Sequence, residues 1–202
     1  GFTPIELMKQ VSLRTNDLME RHSRVYQDEI EPLLKNEGIE FLHWDQLDDT
    51  ERGYVTKLFH DRIFPVLTPL AVDPSHPFPY ISGLSLNLAV IVKNPTSHEE
   101  FFARVKVPEI LPRFIATAKS GSTRFLPLEE LIAIHLQDLF PGMIIEDHYT
   151  FRITRNQDMD LDEEESEDIL TSIEQELARR RFGPPVRLEI ENGVDEKLVE
   201  KL

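Results

Sequence analysis

The chain has 202 residues, of which 40% are hydrophobic, and it carries 22 basic against 37 acidic side chains, for a formal net charge of −15. This length and composition suffice for one large domain, or for one domain with an appendage, built around a hydrophobic core. The negative charge excludes nucleic acid and anionic membranes as partners of the whole surface, and polyphosphate anywhere except at a local basic patch.

Cysteine is absent, which excludes disulfides and thiolate zinc sites and is compatible with a reducing cytoplasm. No apolar run approaches the roughly 20 residues that a transmembrane helix needs. The first residues, Gly1 to Pro4, lack the basic and apolar regions of a signal peptide, and we expect them to lie inside a longer chain.

A long amphipathic helix is predicted at the N-terminus. Thr3 supplies a capping hydroxyl, and Pro4 suits the first helical position because its missing N–H needs no partner there. Apolar residues then recur on a mostly polar background, at Met8, Val11, Leu18, Val25 and Ile30. Pro32 predicts a kink or break near the end of this helix, and Gly38 predicts its stop.

A short strand over residues 39–42 and a second helix follow. The helix begins after Asp48, because Glu51 three residues later completes the pattern of a capping box. Its buried face is predicted to consist of Tyr54, Val55, Leu58 and Phe59. Residues 64–80 contain five prolines and are predicted to be largely extended.

The strongest strand pattern lies in residues 84–92, where apolar residues occupy both alternating sets of positions. One set is Leu84, Leu86, Leu88 and Val90, and the other contains Ala89 and Ile91. Residues 101–107 and 113–118 are further strand candidates. A turn at residues 120–122 joins the latter to residues 123–126 in a hairpin. Pro127 with Glu129 and Glu130 then begins a helix that ends near Phe140.

The last part of the chain is predicted to contain two strands and two helices. Residues 149–154 and 186–190 alternate as strands, a helix runs from Asp160 through Arg181 to the stop at Gly183, and another covers residues 195–202. Strands and helices are thus intermixed. We predict an α+β fold, with a mixed or antiparallel sheet packed with helices and preceded by the long N-terminal helix.

Neither the histidines nor the acidic run predicts a metal or catalytic site. None of the seven histidines has the helical spacing of a metal pair. We interpret His135 as a partly buried packing residue and expect Asp147 to raise the basicity of His148. Residues 158–168 are rich in carboxylates, but Glu163 and Ile169 stand where a calcium loop needs glycine and glutamate. This run is interpreted as a solvated helix start.

Arginine supplies the only candidate ligand contacts, because its guanidinium fork can bind phosphate through two hydrogen bonds. The candidates are Arg113, Arg152 and Arg155. The triplet at residues 179–181 is interpreted as compensation of a helix dipole. If the three candidates bind a phosphate polymer, the binding should weaken steeply with salt.

The chain resembles bacterial polyphosphate kinase along nearly its whole length. The segments that carry the resemblance are PVLTPL (65–70), PFPYI (77–81), LSLNLAV (84–90), KVP (106–108), LPRF (111–114), FRITRN (151–156) and PPVRL (184–188). None of them is a mechanistic motif, but their order and spacing together are specific to the family.

The resemblance implies a division of the chain into two parts. Residues 1–38 resemble the last helix of the family's N-terminal domain, and residues 39–202 resemble most of its head, or middle, domain, truncated at its C-terminus. The family's phosphorylated histidine, its magnesium-binding arginine and its phosphate-tunnel arginines belong to two further domains and have no counterpart in this chain. The Asn-Leu-Asp-Glu-Phe motif of the N-terminal domain is also absent.

We therefore expect a non-catalytic fragment without catalytic, cofactor-binding or metal-binding residues. By resemblance, its parent uses ATP and Mg²⁺ and transfers the terminal phosphate of ATP reversibly to polyphosphate through a phosphohistidine. The fragment is expected to serve architecture and dimerisation, with a second copy of the chain and the parent's catalytic domains as partners. A polyphosphate-binding accessory module or a protein–protein interaction module is the alternative. The parent is expected in the cytoplasm, with membrane association left open.

Overall fold

The computed structural model describes residues 2–72, 79–118, 121–156 and 183–194, together with Val199. The α-helices in these parts are α1 (Pro4–Val25), α2 (Glu31–Asn36), α3 (Asp49–Leu58), α4 (Leu128–Ile134) and α5 (Leu136–Leu139). The strands are β1 (Glu40–Phe41), β2 (Pro69–Val72), β3 (Leu86–Lys93), β4 (Glu100–Lys106), β5 (Phe114–Ala116), β6 (Arg124–Pro127), β7 (Ile144–Arg155) and β8 (Pro185–Ile190).

The strands form two sheets. The larger sheet has the order β2-β4-β3-β7-β8, and all of its neighbouring strands are antiparallel. The smaller sheet has the order β1-β6-β5, with β1 parallel to β6 and β5 antiparallel to it. The predicted α+β class with antiparallel and mixed sheets is confirmed.

The central strand β3 is buried on both faces, as its apolar pattern predicts. Leu88 and Val90 belong to the main core, which also contains the buried side chains of α3 and α4. Ala89, on the opposite face, packs in a second cluster with Phe102 and Phe151. A strand buried on both faces keeps its backbone groups away from water, so both of its edges must be paired.

The N-terminal helix continues past Pro32, but a π-turn interrupts its regular α-helical hydrogen bonding just before that residue, close to where a kink or break is predicted. A π-turn at Tyr26–Ile30 joins α1 to α2, and the N–H of Glu31 donates to the carbonyl of Tyr26. Proline cannot donate to the preceding turn, and its ring crowds the carbonyl four residues earlier. A wider turn just before the proline relieves this conflict while the helix continues to Asn36.

Two predicted helix signals are confirmed at the level of single hydrogen bonds. Asp48 and Glu51 form the reciprocal capping box at the start of α3. Gly38 ends α2 with a positive φ of 78° and donates its N–H to Lys35 O at 3.0 Å, while the N–H of Ile39 donates to Leu34 O at 2.9 Å. These two bonds form the Schellman pattern of a helix C-terminus.

Other elements differ in extent from the sequence prediction. The helix predicted over residues 127–140 is divided into α4 and α5 at His135. Strand β7 begins at Ile144, five residues before the alternation predicts, because its pairing with β3 extends to the match of Lys93 with Ile144. The proline-rich stretch contributes β2, which pairs with β4.

Several predicted elements lie outside the described residues. They are the acidic run at 158–168, the helix ending at Arg181, the turn at Ser120, most of the helix at 195–202 and the first two residues of the PFPYI segment. Within the described part of the chain, no helix has both the length and the apolar character that a membrane crossing requires.

Replacement of Gly38 or Gly53 by alanine tests the backbone conformations of these two residues, left-handed at Gly38 and helical at Gly53. A Cβ at either glycine would meet no atom within 4 Å, so only the backbone conformation differs between them. Gly38→Ala should destabilise the chain by about 1–2 kcal/mol, because alanine resists the left-handed conformation. Gly53→Ala, inside α3, should stabilise it by about 0.4–1 kcal/mol. Urea unfolding of both variants measures this, and equal signs would contradict the Schellman end of α2.

Candidate functional site

A cleft of about 700 Å³ contains two of the three arginines predicted to contact phosphate. It is lined by residues of α4, β7 and β8, and Arg113 and Arg152 both reach it. Arg155 lies on β7 but is not part of its lining. The structure therefore brings Arg113 and Arg152 together and places Arg155 elsewhere.

Each arginine of the cleft already has a carboxylate partner. Arg113 Nη2 donates to Glu129 Oε1. Arg152 donates through Nε and Nη2 to the two oxygens of Glu189, at 3.1 and 3.0 Å. The second pair has the two-bond geometry that a guanidinium would otherwise offer to a phosphate. Phosphate contact by these two arginines remains a prediction, and it requires them to exchange partners.

Acidic groups outnumber basic ones in this cleft. Besides the two paired glutamates, Glu130 accepts from the backbone of Trp44 at 2.7 Å and lies 3.0 Å from His43 Nδ1. Glu191 accepts from the backbone of Thr150 at 2.7 Å. Histidines aside, four carboxylates and two guanidiniums leave two excess negative charges.

One carboxylate oxygen in the cleft lacks a donor. Glu129 Oε2 is buried and has no hydrogen-bond partner among the described residues. A buried acceptor in a negatively charged cleft favours a donor or a cation over an anion as its neighbour. The local chemistry therefore suits the cleft better to a basic side chain or a water molecule than to polyphosphate.

Arg155 is engaged with the backbone of two distant segments. Its Nε donates to Ile81 O at 2.7 Å, and its Nη1 donates to Gly183 O at 2.8 Å. The guanidinium carbon also lies 4.4 Å from the centre of the Tyr80 ring, in cation–π contact. Arg155 thus holds the 79–81 segment and the start of β8 against the end of β7.

A second arginine, which the sequence analysis missed, also holds the 79–81 segment, through the carbonyl of Tyr80. Arg104 lies on β4 and is only 6% exposed. Its Nε donates to Asn87 Oδ1 at 2.8 Å and its Nη1 to Tyr80 O at 3.4 Å, and burial lowers the pKa of its guanidinium. The signal in the sequence was a charge flanked by apolar residues in a predicted strand, between Ala103 and Val105.

The Arg104 contact belongs to a buried polar chain. Asn87 Nδ2 donates to Ser85 O at 2.8 Å, and Ser85 Oγ donates to Ser82 O at 2.8 Å. Each buried polar group named here has a partner, which is the condition under which such groups do not destabilise a core. Arg104 and Arg155 therefore position the described end of the PFPYI segment.

The histidines behave in different ways. His135 is 8% exposed and stacks on Phe59 with ring centres 4.2 Å apart, which confirms its interpretation as a packing residue. His148 is exposed, and its backbone N–H donates to Asp147 Oδ1 at 2.9 Å. The other oxygen of that carboxylate accepts from the Tyr149 hydroxyl. The two described contacts of Asp147 therefore go to a backbone amide and a phenol.

Comparison with known proteins gives one consistent family. A family model described as the polyphosphate kinase middle domain matches residues 50–202. Curated polyphosphate kinases from Streptomyces coelicolor and Mycolicibacterium gilvum are 49% and 50% identical to the chain, which they cover completely. The chain spans only 27% and 28% of their lengths.

A solved structure shares the fold. The crystal structure of polyphosphate kinase from Porphyromonas gingivalis matches with a TM-score of 0.75 and 24% sequence identity. The match covers 96% of this chain and 28% of that one. The arrangement of strands and helices described above is therefore also found in part of a much longer protein.

Lysine at Arg155 tests whether this residue holds the two segments together. Arg155→Lys keeps the charge but removes the fork that reaches both carbonyls, and we expect a loss of about 1–3 kcal/mol in the free energy of unfolding. Arg187→Lys on β8 is the matched control, because the described hydrogen bond of Arg187 is a single exposed one of 3.3 Å to Asn16 Oδ1. It should change stability by less than about 0.5 kcal/mol. Equal losses in denaturant unfolding would refute the positioning role of Arg155.

Proposed function

The chain belongs to the polyphosphate kinase family and contains the middle domain of that family; from this premise we propose that it serves as an architectural and assembly unit of a polyphosphate kinase. The observation that carries the proposal is that the three arginines predicted to contact phosphate have partners within the chain. Arg113 and Arg152 are paired with carboxylates of the chain, and Arg155 is bonded to its backbone carbonyls. Groups engaged in this way stabilise a scaffold.

We place the chemistry of phosphate transfer outside this chain. In the complete protein, the terminal phosphate of ATP passes to a histidine and then to polyphosphate, with Mg²⁺ as the counter-ion, so that one difficult transfer becomes two easier ones. Two observations support this placement. The chain resembles a part of the family's proteins that lacks these groups, and it spans only 27% and 28% of the lengths of two relatives. Relatives of full length have more than two thirds of their sequence beyond the matched part.

We assign residues 1–38 to the end of an N-terminal domain and residues 39–202 to the head domain. The family match begins at residue 50, after the long helix, which is compatible with this division. Within α1, no residue is buried. A helix of 22 residues without a buried side chain depends on neighbours beyond those that the described residues supply.

The exposed apolar stripe of α1 supports the assembly part of the proposal. Val11, Leu18 and Val25 are 52%, 49% and 45% exposed and follow one another at intervals of seven residues. Such spacing repeats one helix face every two turns and is typical of helices that pair in a coiled coil. We propose that in the isolated chain the partner of this stripe is a second copy of the same chain.

A polyphosphate-binding accessory role is the second candidate. It is favoured by one observation, the convergence of Arg113 and Arg152 on a single cleft. The excess of carboxylates in the same cleft opposes it, because a polyanion would have to displace Glu129 and Glu189 from their arginines. We therefore rank architecture and assembly first.

We place the complete protein in the cytoplasm, with membrane association as the alternative. The lack of cysteine suits a reducing compartment. The acidic surface makes nucleic acid an unfavourable partner. The partners that we propose are a second copy of the chain and the catalytic domains of the complete protein.

The isolated 202-residue chain should show no transfer of phosphate from ATP to polyphosphate in the presence of Mg²⁺. The reason is the absence of the phosphorylated histidine and of the groups that hold nucleotide and metal in the family. Synthesis of labelled polyphosphate measures this, with a complete polyphosphate kinase as the positive control and circular dichroism to verify folding. Turnover by the folded chain would contradict the placement of the chemistry elsewhere.

Charge on the stripe of α1 should weaken self-association. We expect the wild-type chain to form dimers whose fraction rises with concentration. The double variant Val11→Glu with Leu18→Glu should raise the concentration at the midpoint of dimerisation at least tenfold, because each chain would bury two carboxylates at the contact. Gln10→Glu with Gln27→Glu adds the same charge away from the stripe and should leave the midpoint within about twofold. Light scattering at several concentrations reports the outcome; a strict monomer, or an equal shift in the control, would count against dimerisation through this stripe.

A further inference from the structure

Two histidines and one aspartate converge in a place that the cleft does not include. His60, His135 and Asp138 each offer one ligand atom, and the three atoms lie within 4.8 Å of one another. The spacing of residues along the chain does not reveal this set, because His60 comes from the segment after α3 and the other two from the region of α5. The set combines the two ligand types that transition metals commonly accept.

The hydrogen bond of the buried histidine leaves its other ring nitrogen available to a metal. His135 Nδ1 lies 2.9 Å from Leu131 O, and a carbonyl oxygen can only accept, so Nδ1 carries the proton. The lone pair is therefore on Nε2. A ligating histidine usually has this arrangement, in which the second ring nitrogen donates to a backbone carbonyl and fixes the ring.

Packing holds that ring in place before any ion binds. His135 stacks on Phe59 at 4.2 Å and meets the edge of Trp44, whose ring centre is 5.9 Å away. The His60 ring lies at 89° to it, with centres 5.6 Å apart. A ring fixed in this way loses little conformational entropy on ligation.

The backbone at both histidines departs from regular helix. His60 lies in a π-turn, Phe59–Ile63, which continues α3. His135 has φ −106° and ψ 18° between α4 and α5. Single π-turns and residues in this region of backbone space often occur at functional sites. Asp138 follows three residues later, and its N–H donates to His135 O at 3.0 Å.

The two exposed ligands are close enough to complete a site by small rotations. His60 Nε2 and Asp138 Oδ2 are 3.8 Å apart, and their side chains are 49% and 44% exposed. Ligands about 2.0–2.1 Å from a tetrahedral zinc ion are separated by roughly 3.4 Å. Closure of the site therefore needs only modest movement of side chains that are free to move into solvent.

We propose that His60, His135 and Asp138 form a binding site for a divalent transition metal such as Zn²⁺, with an open fourth position for water. Imidazole ligands favour Zn²⁺ and its neighbours over Mg²⁺ and Ca²⁺, which prefer oxygen. The site is thus distinct in chemistry from the magnesium of the proposed phosphate transfer. Its metal would link the π-turn after α3 to the junction of α4 and α5.

The single tryptophan provides a direct test. Trp44 is the only tryptophan of the chain, and its ring meets His135. Co²⁺ bound at the site would quench its fluorescence, whereas Zn²⁺ would displace the Co²⁺ and restore it. The 202-residue chain is titrated with Co²⁺ and then with Zn²⁺, alongside the variants His60→Ala and Asp138→Asn, whose side chains are exposed and whose folding circular dichroism verifies.

The control variant is His43→Ala, because His43 with Glu130 forms another histidine–carboxylate pair next to Trp44. We expect saturable quenching with one equivalent of Co²⁺, reversed by Zn²⁺. The apparent affinity should fall at least tenfold in both His60→Ala and Asp138→Asn and should stay within twofold in His43→Ala. Three results would overturn the three-ligand site. They are quenching that does not saturate, a loss of Co²⁺ affinity in His43→Ala, and an unchanged Co²⁺ affinity in either His60→Ala or Asp138→Asn.

Discussion

Burial of β3 on both faces is the constraint on which the rest of the structure depends. Leu88 and Val90 face the main core and Ala89 faces the second cluster, so neither face of the strand can be left to solvent. The backbone of such a strand must be bonded along both edges, and β4 and β7 supply those bonds. The helices α3 and α4 then cover one side, and Ile81 packs in the cluster on the other side.

The burial of β3 explains why Arg104 points inward. Asn87 is fully buried on β3 and needs partners, and Arg104 on the adjacent strand supplies one of them. Arg104 in turn reaches the carbonyl of Tyr80, while Arg155 reaches that of Ile81. The basic groups nearest the centre of the sheet therefore position backbone. That use of arginine agrees with a role in architecture better than with a role in binding a phosphate polymer.

Among the described residues, the stripe of α1 and the set of two histidines and an aspartate are open to partners, and they differ in chemistry. The stripe of α1 is apolar and repeats with the period of a helix pair, so it suits another helix. The set of His60, His135 and Asp138 is polar, with one buried member and two exposed members, so it suits an ion that can be approached from solvent. Neither includes a residue that lines the acidic cleft. A scaffold that also assembles copies and binds a metal would thus use separate surfaces for each task.

Local interactions were predictable from the sequence, and distant ones were not. The capping box of α3, the stop at Gly38 and the two apolar faces of β3 depend on residues within a few positions of one another, so their spacing in the sequence is sufficient evidence. The family, too, could be recognised from ordered segments. Phosphate contact by the candidate arginines stays a prediction, and the partners that Arg152 and Arg155 have in the structure, Glu189 and Ile81, lie 37 and 74 positions away from them along the chain. Only the tertiary fold decides whether a guanidinium faces a ligand, a carboxylate or a carbonyl, because that choice depends on which strands and loops the sheet brings together.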